Sequence, residues 1–262
     1  MKRSTTPARN VSGLPKQPGT EGEPGAAGGP RTGESRITGV IVLAGGRSSR
    51  LGGTAKAALT IGGVSLLAGT VAAARGSLRS KERPVLDAPV VVVGPEEQLR
   101  PLLATTATTG IDKQQLFFVR EEPVFSGPAA ALATGLARLT TMTGSAGYVL
   151  VLACDMPRVP VVLRSLLDHG LAADGVLATD QGRDQPLAAV YRIAALRGAI
   201  DRARREGIVT NASLFSLIAS LEVARTTVPV GSTADVDSWA DAARLGVDGI
   251  PGISPPDAAD DD

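Results

Sequence analysis

Short runs of branched apolar residues recur along the chain, each closed by glycine or a polar turn and followed by a stretch of helical length. The runs at 37–44, 89–93, 115–120 and 148–153 read as strands. Helices are expected at 65–75, 96–104, from Pro128 onward and at 161–169, with Pro101 shortening the second and 76–88 as a surface loop. Strands alternating with helices need crossover connections, so the chain is an α/β protein with a mostly parallel sheet. Aromatic residues make up only 3% of the chain and hydrophobic ones 43%. The core must then be built from Val, Leu, Ile and Ala, which suits parallel strands covered by helices on both faces.

Beyond residue 170 the rhythm changes. Segments 175–179 and 187–191 read as strands joined across the Asp180–Gln181–Gly182–Arg183 turn by a hairpin or short crossover. Helices near 193–205 and 213–220, a strand at 224–230 and a last helix ending at Leu245 complete one domain, 37–247. Residues 1–36 nearly lack large apolar groups and carry six basic side chains against three acidic ones. They read as a disordered tail, as do residues 248–262, where all charges are acidic. A net charge of +1 gives no global field to attract nucleic acid. The single cysteine, Cys154, excludes an internal disulfide and a Cys-cluster zinc site. No apolar run approaches the roughly 20 residues of a membrane span, and no signal-peptide core stands at the N-terminus. The reading is a cytoplasmic protein, monomeric or weakly self-associating, that engages neither nucleic acid nor membrane.

The strongest chemical signal is the loop from Leu43 and Ala44 through Gly45 and Gly46 to Arg50 and Lys56. Paired glycines at a strand end leave backbone N–H groups open to an anion, and no Cβ blocks its approach. Arg50 and Lys56 add positive charge nearby. The pattern is neither a Walker A loop nor a Rossmann fingerprint; a plain surface loop rich in turn formers is the competing reading. Asp155 follows the most apolar strand, and ligands of open α/β sheets gather at the carboxyl ends of strands. A carboxylate there can share Mg²⁺ with phosphate oxygens, or it can cap the next helix. Asp235 and Asp237 offer an acceptor contact or, for Asp237, a second metal ligand, against helix capping with Asp241. Gln185 could bind an acceptor or simply follow a turn. His169 reads as a helix C-terminal residue and Cys154 as a small buried hydrophobe.

Taken together these motifs resemble the nucleotidyltransferases that include molybdenum cofactor guanylyltransferase. The likeness is carried by Leu43-Ala44-Gly45-Gly46, Arg50-Leu51-Gly52 and Ala55-Lys56. It continues through Ser126-Gly127-Pro128-Ala129-Ala130-Ala131-Leu132, Cys154-Asp155-Met156-Pro157, Gln185-Pro186-Leu187-Ala188 and Asp235-Val236-Asp237-Ser238. It implies the nucleotide-diphospho-sugar transferase fold, a Rossmann-like mixed sheet, with GTP as donor and Mg²⁺ on Asp155. It also implies a phosphate-binding role for Lys56 and a nucleotide contact from Glu121 or Glu122, with Glu122 the better match. The chain departs from the pattern at Ala55, where the family has Asp, and near Gly94, where it often has Asn. Relatives that use CTP carry Leu-Ala-Ala-Gly at the first loop, so Gly45-Gly46 favours GTP. The expected reaction is transfer of GMP from GTP to a phosphorylated acceptor, molybdopterin first among them. Alternatives are CTP or GTP transfer to another acceptor, and a non-catalytic nucleotide-binding regulator.

Overall fold

The computed structural model describes residues 1–2, 36–46, 51–80, 83–84, 88–104, 115–171, 173–210 and 212–249. Seven strands form its main sheet: β1 (Ile37–Leu43), β6 (Val90–Val93), β7 (Leu116–Val119), β8 (Tyr148–Ala153), β9 (Gly175–Asp180), β10 (Arg183–Arg192) and β11 (Val223–Thr227). Their order is β11-β9-β10-β8-β1-β6-β7. Neighbours pair in parallel except around β10, which runs against both β8 and β9. The turn after Asp180 is therefore a hairpin. Two small ribbons lie outside this sheet, β2 (Thr60–Ile61) with β3 (Val64–Ser65), and β4 (Arg79–Ser80) with β5 (Arg83–Pro84).

The side-chain alternation of the central strands shows why both faces are covered. Val40, Val42, Val90, Val92, Leu150 and Leu152 point into one core with α1 (Leu66–Leu78) and α4 (Val159–His169). Ile41, Leu43, Val91, Val93, Val149 and Val151 point into the other. There they meet α3 (Pro128–Thr143), α5 (Ile193–Arg205) and α6 (Leu214–Ile218). Successive strand residues face opposite ways, so an unbroken apolar strand needs helices on each side.

Several boundaries differ from the sequence expectation. Helix α1 runs on to Leu78 and the chain turns back through the β4–β5 ribbon, so 76–88 is only partly loop among the described residues. Helix α4 begins at Val159 because Pro160 fits its first turn. The 96–104 segment splits into α2 (Glu96–Leu99) and a 3-10 turn opened by Pro101. Strand β10 reaches back to Arg183; its register with β9 is interrupted between Gln185 and Ala189, where Pro186 has no N–H to offer the ladder. At the other end of the chain, Asp248 N donates to Thr60 O at 2.6 Å and Thr60 Oγ1 to Gly249 O at 3.1 Å. Those bonds tie the first residues of the expected acidic tail to β2.

Gly175 is placed by a close approach. A Cβ there would lie 2.2 Å from Val190 O, and its φ is +146°. Only glycine lets β9 leave the loop and pair with β10 at once.

Candidate active site

The carboxyl ends of β1, β6, β7, β8 and β9 and the start of β10 open on a common edge of the sheet. A cleft of about 960 Å³ lies along it. Leu43, Ala44, Gly45, Gly46, Lys56, Asp155, Gln185 and Asp235 all line this cleft, so residues spread over more than 190 positions of sequence converge there.

Three elements set the charged centre. Asp155 leaves the end of β8, where Cys154 N donates to Leu43 O at 3.0 Å and locks β8 beside β1. Lys56 starts a 3-10 turn, Lys56–Ala58. Asp237 ends the loop ahead of α7 (Trp239–Leu245). A separate apolar cluster holds these pieces together: Leu51, Leu59 and Leu66 pack with Val236, Ala242 and Val247. Val236 is fully buried and anchors the Asp-Val-Asp triplet, in which Asp235 lines the cleft and Asp237, outside the lining, reaches Lys56. Val236 N also donates to Asp155 O at 3.1 Å, stitching this loop to β8.

The result is a cation seated among carboxylates. Lys56 Nζ donates to Asp155 Oδ2 at 3.1 Å and to Asp237 Oδ1. Burial opposes the lysine's charge, but the hydrogen bonds and charges of Asp237 and Asp155 outweigh it and raise its pKa. One oxygen from each of Asp155, Asp235 and Asp237 lies within 4.8 Å of the others. The Asp235 carboxyl is held above the usual range, first by withdrawal from water and then by the negative charges of Asp237 and Asp155. Three hard oxygen donors gathered at a strand end, with mutual repulsion that a divalent ion would relieve, fit Mg²⁺.

The capping alternatives resolve differently for each residue. The N-cap of α4 is Arg158, not Asp155. The N-cap of α7 is Ser238, which forms a capping box with Asp241, leaving Asp237 to Lys56. Glu121 is buried, lines the cleft and accepts from Phe125 N at 3.2 Å. Glu122, the better match by sequence, is exposed and not among the lining residues. Arg50 lies outside the described residues. Cys154 is buried; desolvation and then the Asp155 charge push its thiol well above the ordinary value, so it behaves as a packing residue. Sequence reasoning missed Arg120, Phe125, Thr233 and Arg244, which also line the cleft. None belongs to a motif, and only the tertiary fold brings them to this edge.

Fold and cleft define a class: a mixed seven-stranded sheet with a cleft at its strand ends, the nucleotide-diphospho-sugar transferase architecture. The model of the MobA-like NTP transferase domain matches residues 40–221. The chain belongs to that family and is a nucleotidyltransferase. Among solved structures it is similar to molybdopterin-guanine dinucleotide biosynthesis protein A from Archaeoglobus fulgidus, with 22% identity and a TM-score of 0.53 over 79% of this chain and 96% of that one. The Rv0371c protein of Mycobacterium tuberculosis H37Rv is 24% identical with a TM-score of 0.55, over 80% and 98%. A 2-C-methyl-D-erythritol 4-phosphate cytidylyltransferase from Francisella tularensis reaches a TM-score of 0.56 at 10% identity, over 80% and 98%. No curated protein matches the chain. Among the described residues no helix is long and apolar enough to cross a membrane.

Proposed function

We propose that the enzyme transfers GMP from GTP to a phosphorylated small-molecule acceptor in the cytoplasm, molybdopterin being the leading candidate, with release of pyrophosphate. One observation carries the reading: the Gly45–Gly46 turn and Asp155 line the same cleft, with Lys56 Nζ 3.1 Å from Asp155 Oδ2. An acceptor phosphate oxygen attacks the α-phosphorus of GTP, the bond from that phosphorus to the bridging oxygen breaks, and pyrophosphate leaves. A phosphomonoester is largely dianionic at neutral pH, its second pKa being about 6, so no general base is needed. The chain's part is then positioning and charge neutralisation. The open amides of Gly45 and Gly46 hold phosphate oxygens, and Lys56 and Arg50 balance charge on the departing pyrophosphate. Gln185 and Asp235 face the acceptor. Glu121 or Glu122 contacts the nucleotide, and the buried, cleft-lining position of Glu121 favours it over Glu122. Asp155, with Asp237 and Asp235, would hold Mg²⁺, which when bound neutralises the triphosphate and orients it for in-line displacement.

The test is calorimetric titration with GTP and CTP in the presence of Mg²⁺, followed by a pyrophosphate-release assay with candidate phosphorylated acceptors. GTP should bind more tightly, and release should require an acceptor. A preference for CTP overturns the choice of base. Nucleotide binding without release on any phosphorylated acceptor favours the non-catalytic alternative, which the Ala55 departure from the family pattern would then explain.

A further inference from the structure

Asp180, the last residue of β9, is a carboxylate buried at the cleft edge with 5% of its surface exposed. Its partners come from one loop. Oδ1 accepts from Gly231 N at 3.1 Å, and Oδ2 accepts from Thr233 N at 3.1 Å and Thr233 Oγ1 at 2.9 Å. Gly231 has a φ of +72°, the left-handed turn that lets neighbouring amides converge on one anion. A buried charge is costly unless such bonds satisfy it, so the carboxylate and the loop hold each other in place.

The same loop continues into Asp235 and Asp237. Its far end is fixed by Val236 N on Asp155 O and by the Ser238–Asp241 capping box. Its near end is fixed by Asp180. From this geometry we infer that Asp180 is a positioning residue: by anchoring residues 231–233 it sets the carboxylates of Asp235 and Asp237 opposite Asp155. The inference rests on the reading that these three carboxylates hold the metal, and the experiment separates the two.

Three variants decide it: Asp180→Asn, which turns an amide group toward donors; Thr233→Val, which removes only the hydroxyl bond; and Thr233→Ser, which keeps it. Thermal melting, peptide-resolved hydrogen exchange over residues 229–238, and Mn²⁺ binding with GTP present and no acceptor are measured for each. Asp180→Asn should weaken Mn²⁺ binding by about 10-fold, the low end for direct partners of metal ligands because Asp180 acts one step further out, and speed exchange in that loop, while GTP affinity without metal stays unchanged. Thr233→Val should shift both readouts the same way by less, and Thr233→Ser should restore them. If Asp180→Asn does not fold, the two Thr233 variants still decide the matter. A lower melting temperature with Mn²⁺ affinity unmoved would mean that Asp180 serves only the scaffold, and the inference fails. Should the parent enzyme with GTP bind no Mn²⁺, the metal reading falls with the positioning role; unchanged loop exchange would then deny even the anchoring.

Discussion

At the scale of single residues, Asp155 and Lys56 both line the cleft and differ in what their removal should do. Both side chains are partly exposed, at 20% and 22%, so neither is a large prop of the fold. Asp155→Ala should leave the melting transition nearly in place and abolish pyrophosphate release; retained release in that variant removes the metal assignment. Lys56→Met should weaken GTP binding and slow transfer by about 10²-fold, the scale for losing one fixed charge-stabilising donor, read from steady-state kcat and KM. Asp180 is sensitive to acid instead. Burial alone would raise its carboxyl, but hydrogen bonds from Thr233 and Gly231 outweigh that and hold it below the usual range. A carboxyl lower in the folded than in the unfolded chain gives stability that is complete above its ordinary value of about 4. That stability drains away as pH falls through the folded value. The stability gap between the parent and Asp180→Asn, from urea midpoints, should therefore narrow as the medium is acidified. Nothing in the sequence announced Asp180's role, because its partners are mostly backbone amides 51 and 53 residues away. Asp155 was legible because it ends an apolar strand, a place that carries its own meaning in a parallel sheet.

At the scale of elements, apolar runs revealed every strand that carries one and hid the polar start of β10. Runs such as Val90–Val93 can only be interior strand. The first residues of β10, Arg183-Asp184-Gln185, look like loop because they pair with β9 alone and run into the register break at Pro186, where polar side chains and a proline are tolerated. At the start of α7 the sequence leaves Asp237 open between capping and a role in the site, because Asp237 and Ser238 are both good caps; the cap is Ser238, and Asp237 reaches Lys56 instead. Ser238→Ala removes one half of the capping box and should cost about 1 kcal/mol, seen as a lower urea midpoint. Gly175→Ala forces a methyl group against the Val190 carbonyl in a conformation that side chains avoid. It should destabilise by about 3 kcal/mol or more, and a melting curve close to the parent's would contradict the strand geometry described for β9.

For the whole molecule, the sheet and its two helical layers support a cleft that is ready-formed along one edge, so ligand binding should report on global stability. GTP with Mg²⁺ at a hundred times its Kd should add about 2.7 kcal/mol, a rise in Tm of roughly 5–10 °C for a chain of this size, measured by differential scanning calorimetry. The reversed course of β10 has a consequence for how such an enzyme can change. Because that strand sets out from the edge at which its neighbours finish, the cleft has two banks drawn from separate stretches of polypeptide. One bank comes from the chain up to Met156; the other comes from the hairpin tip and the segment leading to α7. Alterations at the hairpin tip need not disturb the first bank, whereas the segment leading to α7 is bonded to it through Val236 and Asp237. Grafting residues 181–187 from a relative with another acceptor should redirect the recipient of the nucleotide and leave the choice of nucleotide as it was, a form of interchangeable tooling that a sheet of uniform direction would not provide.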